Sequence, residues 1–313
     1  MNGPGVYRTE IDNIDVLTKF YFGDGTNSLI HVQKYVDVIS YRQFTFTREN
    51  NTIYSSILDL SDVNCTNTGY NGCDFDTWIG KCPGRDPAKT PIIFIPEEVA
   101  CNFSGRSDII YKTVGCEGLL HELGHKTFSL GHSAALCDAF DATKLCNPTD
   151  CCTDFTRQIN TVGDWTCLMG YGPGLFFNVA IAYTALHIVT PLDVLKRGSQ
   201  SGGTYVIPAL QFTGEKNHLQ VDFGNGLVYF VSYHRKNGTD FMNGLFDLRG
   251  VEGGTKLDDM VYVHKMDPAY STMASILCKQ IMPGRTWTFE GGKLAVTCVS
   301  SSGKDATVTL RLT

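Results

Sequence analysis

The chain has 313 residues, 42% hydrophobic and 19% charged, enough apolar material for packed cores and too much for a disordered protein. Its net charge of −6, with no basic run, argues against nucleic acid as a partner. No apolar stretch reaches the roughly 20 residues that a membrane span needs.

Met1 to Arg8 lack a basic stretch followed by an apolar one, so this end does not read as a signal peptide. Residues 30–60 carry alternating or apolar segments that predict strands: Ile30 to Val32, Tyr35 to Ile39, Phe44 to Phe46 and Ile53 to Leu60. A turn-rich stretch runs from Ser61 to Lys89, and Ile92 to Ile95 is a short apolar strand between prolines. Leu119, Leu120 and Leu123 then suit the buried face of a helix around His121 and His125. Residues 131–176 read as loop, and Phe176 to Leu195 as one helix or two, broken at Pro191. Gly198 to Thr204 has the composition of a linker. Beyond it Leu227–Val231, Met260–His264, Thr286–Phe289, Leu294–Cys298 and Ala306–Leu312 predict strands, with a hairpin turn at Glu290-Gly291-Gly292. Two domains are expected, residues 1–197 and residues 198–313, the second an antiparallel β-sandwich.

Ten of the twelve cysteines precede residue 170: Cys65, Cys73, Cys82, Cys101, Cys116, Cys137, Cys146, Cys151, Cys152 and Cys167. Cys278 and Cys298 stand apart. Both groups are even, which predicts disulfides within each domain, a Cys278–Cys298 bond among them, and an oxidising compartment. Asn-x-Ser/Thr sequons at Asn50, Asn64, Asn102 and Asn237 fit a secreted glycoprotein.

The chemistry concentrates in His121-Glu122-Leu123-Gly124-His125. Four residues apart on a helix, the two histidines sit about 40° apart around the axis, one turn above the other. Two imidazoles so placed can hold one Zn2+ ion. Glu122 is then placed to act as general base toward a zinc-activated water and to pass its proton to the leaving amine. Gly131-His132 offers a third ligand, and Cys167-Leu168-Met169-Gly170-Tyr171 is a compact turn. A glutamate ligand well downstream is excluded, because no Glu occurs between Leu123 and Gly214. Asp138 or Asp141 remains an alternative third ligand.

His121 to His132, followed by Leu168-Met169-Gly170-Tyr171, resembles the metzincin zinc peptidases, and among them most closely the gametolysin-like family. Ser40 to Phe46, Gly115 to Gly118, Phe177 to Ala180, Val231 to Arg235 and Val261 to Lys265 are similar to further segments of that family, so the likeness covers roughly residues 35 to 312. The resemblance implies an α+β fold, a twisted mixed sheet with an active-site helix. It implies a monomeric, secreted zinc endopeptidase acting on extracellular or matrix proteins. His121, His125 and His132 would ligate zinc, Glu122 would be the catalytic base, Met169 would lie under the metal, and Tyr171 could donate to the oxyanion. The chain departs from the family in one place. One residue is extra between His125 and His132, and Ser129 stands where the family has glycine. The competing reading is a catalytically weak zinc-containing protein that binds through its C-terminal β-domain. For His132 to reach the same ion, the helix must end soon after His125 and the chain must fold back, with Gly131 free to take a positive φ.

Overall fold

The computed structural model describes residues 14–25, 31–53, 79–82, 84, 86, 88–94, 105–106, 110–111, 116–136, 159–160, 162–164, 166–170, 176–199, 201–210, 212–235, 259–270 and 274–313. The fold is mixed α+β. The chain divides into two compact units, residues 1–38 with 42–129, and residues 39–41 with 130–313. Residue 198 lies inside the second of these.

The first unit holds helix α1 (Ile14–Phe22) and most of α2 (Val32–Ile39). Strands were expected where α2 forms. Val32, Tyr35 and Ile39 are its buried residues, and their spacing of three and four is the helical period. The polar Gln33, Lys34 and Asp37 lie between them with the half-buried Val36 and Val38, so the short apolar alternation was the misleading signal. Residues 44–46 are irregular rather than a strand, and Phe46 stacks on Tyr21 and Phe22, with ring centroids 5.4 and 6.0 Å away. Ile53 is irregular as well, and residues 54–60 lie outside the described part. Three short strands, β1 (Ile93–Phe94), β2 (Gly105–Arg106) and β3 (Ile110–Tyr111), form a small mixed sheet in the order β1-β3-β2. Helix α3 (Cys116–Phe128) closes the unit.

The second unit is two facing sheets. The larger has seven strands in the order β5-β4-β11-β10-β9-β8-β6: β4 (Ser133–Leu136), β5 (Ile159–Asn160), β6 (Asp193–Lys196), β8 (His218–Gly224), β9 (Leu227–His234), β10 (Met260–Met266) and β11 (Ser275–Ile281). The smaller has the order β12-β13-β14-β7, from β7 (Gly202–Pro208), β12 (Arg285–Phe289), β13 (Leu294–Ser301) and β14 (Asp305–Leu312). The small sheet is antiparallel, as expected for a sandwich. The large one is mixed, because β4 runs parallel to β11 and β6 parallel to β8. Alternation selects the inward residues: Val231 and Tyr233 of β9, Val261 and Val263 of β10, Val296 of β13 and Val308 and Leu310 of β14 share one core. Each such side chain, fully buried, stabilises by about 1.5–3 kcal/mol. Helix α4 (Val179–Thr184) is all that remains of the helix expected between Phe176 and Leu195. The chain turns at His187 (φ 55°) and enters β6 directly after Pro191 and Leu192. Among the described residues no helix is long and apolar enough to cross a membrane.

The expected Cys278–Cys298 bond is not formed. Cys278 lies in β11 and Cys298 in β13, on different sheets that contribute to one core. Cys298 is a buried thiol 4.0 Å from the Ser300 carbonyl, and burial pushes it up to about 11. The thiol of Cys278 points at the Ile276 carbonyl, 3.6 Å away. Cys167, expected to pair with another N-terminal cysteine, is also a buried thiol.

Candidate metal centre

Helix α3 carries two glycines, Gly118 and Gly124, each costing about 1 kcal/mol relative to alanine. Its stability therefore comes from tertiary burial, with Leu119 fully buried and Leu120 nearly so. The opposite side presents His121 and His125, both half-buried. Their Nε2 atoms face each other at 3.1 Å, with ring centroids 4.8 Å apart. Two nitrogens bound tetrahedrally to one zinc at the usual 2.0–2.1 Å would lie about 3.3 Å apart. The observed spacing is thus close to what a shared cation requires. Glu122 sits between them in sequence and is half-buried.

The helix runs three residues past His125, to Phe128, and then ends abruptly. The left-handed residue at its end is Ser129, with φ 52°, rather than the expected Gly131. A helix followed by one αL residue is a common C-terminal cap, and glycine is the usual occupant because a Cβ there is crowded by its own carbonyl. The helix thus stops at Phe128, and His132 stands just ahead of β4. One ring nitrogen each of His121, His125 and His132 lies within 4.8 Å of the others, a group that could hold a metal ion, and no fourth His, Cys, Asp or Glu joins them among the described residues. His132 is exposed. Replacing Ser129 by glycine should relieve the αL strain, less what the more flexible unfolded chain takes back, a gain of roughly 0.5–1 kcal/mol. Chemical denaturation of the Ser129→Gly protein checks this; a loss of stability would mean that the serine side chain compensates for its backbone.

The Met169 turn is built on Asp164 and Cys167. The Cys167 amide donates to the Asp164 carbonyl (3.2 Å) and the Gly170 amide to the Cys167 carbonyl (2.9 Å). The Leu168 amide donates to the Phe176 carbonyl (2.8 Å). A Cβ on Gly170 would lie 1.8 Å from the Asp164 carbonyl oxygen, so only glycine fits. Met169 is fully buried, and its carbonyl accepts from the amide of Ser133, the residue after His132, at 2.8 Å. The amides of Met169 and Asn178 approach the Cys167 sulfur at 3.5 and 3.4 Å. Burial raises that thiol to about 12, which makes it inert rather than nucleophilic. Tyr171, Asp138 and Asp141 lie outside the described residues.

A buried polar cluster that the sequence pattern did not single out lies behind this turn. The Asp164 carboxylate accepts from five groups. At Oδ1 these are the Thr166 amide (3.0 Å) and hydroxyl (2.5 Å). At Oδ2 they are the Ser133 hydroxyl (2.7 Å), Asn178 Nδ2 (3.0 Å) and His264 Nε2 (3.0 Å). Asp164, Ser133, Asn178 and His264 are fully buried. Burial alone would push the Asp164 carboxyl up; the adjoining His264 ring and the Thr166 and Ser133 hydroxyls outweigh it and bring the group down to about 2. His264 and Asp164 are far apart in the chain, and neither has ligand spacing. The one available signal was the polar His264 directly after the apolar run Met260 to Val263.

No family model, no curated protein and no solved structure matches this chain.

Proposed function

We propose that this chain is a zinc-dependent endopeptidase with its metal on His121, His125 and His132. The observation that carries the reading is the three-imidazole set with no fourth protein ligand among the described residues. Structural zinc sites are closed by four protein ligands; catalytic ones keep a position open. When bound, zinc supplies Lewis acidity toward a peptide carbonyl and toward water. Glu122 holds a proton-accepting carboxylate next to His121, takes the proton of the attacking water and returns it to the leaving amine. Met169 gives an apolar support beside the ligand strand. The sequons and the cysteine count favour extracellular proteins as substrates, and Asn50, in the first sequon, is exposed.

A second reading, a zinc-holding protein with weak turnover, is favoured by one observation, the non-glycine residue in the αL position at Ser129. One experiment addresses both. The purified protein is expected to carry one equivalent of zinc, and to cleave an unstructured protein substrate in a manner abolished by chelation and restored by zinc. Zinc without cleavage selects the second reading. Zinc retained by His121→Ala or His132→Ala at full affinity removes the first.

A further inference from the structure

We propose that Asp164 is a positioning residue for the metal site, fixing the third imidazole through Ser133 and the Met169 turn; this rests on the zinc reading above. The His132 side chain is exposed. The backbone at His132 and Ser133 is tied at several points. The His132 carbonyl accepts from the Ala274 amide (3.0 Å), and the Ser133 amide donates to the Met169 carbonyl (2.8 Å). The Ser133 carbonyl accepts from the Asp164 amide (3.3 Å), and the Ser133 hydroxyl donates to the Asp164 carboxylate. Asp164 thus holds the residue after the ligand by both main chain and side chain. Through Thr166 and the Cys167 amide the same residue shapes the turn whose Met169 carbonyl holds Ser133.

The cluster is anchored in the large sheet by a β-bulge. In the β10–β11 pair Val263 lies opposite Lys279, yet His264 lies opposite Leu277, so Cys278 is the extra residue. Without that residue Ser275 would share the phase of Val263 and face the sandwich core. With it Ser275 shares the phase of His264, on the opposite face. There the Ser275 hydroxyl meets that of Ser133 at 2.8 Å, directly across the β4–β11 pairing, and Asn178 Nδ2 reaches it at 2.7 Å. A buried carboxylate rarely adds net stability over a well-packed apolar group. What this one adds is a fixed geometry one residue from a metal ligand, the arrangement by which outer groups orient ligands.

The test is a zinc titration against a chromophoric chelator, together with the visible absorption of the Co2+-loaded protein. The variants are Ser133→Ala, Asp164→Asn and, as a buried polar control two strands from His264, Gln220→Leu. Zinc affinity is expected to fall about 10–100-fold in Asp164→Asn, less in Ser133→Ala, with altered Co2+ bands in both. Gln220→Leu should lose stability and keep wild-type affinity and spectrum. Should Asp164→Asn fail to fold, Ser133→Ala decides. Folded variants with wild-type zinc affinity and Co2+ spectrum would overturn the positioning role while leaving the zinc reading intact. A wild-type protein that binds no zinc would overturn the reading and the inference with it.

Discussion

Glu122→Gln is expected to keep its zinc and lose most of its turnover. The substitution preserves the shape of the side chain and leaves His121, His125 and His132 in place. It removes the carboxylate adjacent in sequence to His121, which can accept a proton. General acid–base catalysis typically contributes 10²–10⁴-fold, and kcat/KM should fall by about that factor. Zinc content measured on the same preparation separates this from metal loss. A zinc-loaded Glu122→Gln protein with undiminished cleavage would reject Glu122 as the base, and one without zinc would make it a structural residue of the site.

The largest stability effect is expected at Asp164. Asp164→Ala leaves the donors of Ser133, Thr166, Asn178 and His264 buried without their acceptor. Breaking one side of such a buried charged network costs about 3–5 kcal/mol, a large share of the 5–15 kcal/mol that holds a typical domain. Urea denaturation should show the midpoint falling accordingly, and a change under 1 kcal/mol would mean that water satisfies these groups. The same residue predicts an acid response. Its folded value of about 2 lies below the ordinary 3.8, so between those two values the unfolded chain binds more protons than the folded one. Stability from this group is therefore full above pH 4 and is lost as the pH falls toward 2. At 1.36 kcal/mol per unit the loss is about 2 kcal/mol. In Asp164→Asn that part of the slope should vanish; an unchanged slope would assign it to other carboxylates.

The amino-acid sequence by itself determined the local features. His121 and His125 meet because a helix places residues four apart on one side, and nothing distant is needed for that. The strands after residue 220 were legible because they are short runs rich in β-branched and aromatic residues between turn signals, as in Val261-Tyr262-Val263. The hairpin at Glu290 to Gly292 followed from two glycines that accept positive φ, observed at 65° and 89°. Tertiary structure decided what depends on distant partners. Short apolar segments such as Val32 to Ile39 fit strand or helix, and only packing of Val32, Tyr35 and Ile39 selected the helix. Cysteine parity suggested a bridge between Cys278 and Cys298, yet an even count carries no geometry, and the two sulfurs take different neighbours, the Ile276 and Ser300 carbonyls. The Asp164 cluster joins Ser133, Asn178, His264 and Ser275 from four distant segments. It depends on a one-residue bulge that reverses the phase of Ser275. A period-two pattern is read along one strand, whereas a bulge exists only between two, so the side chains that hold the ligand strand become visible only once the sheet is assembled.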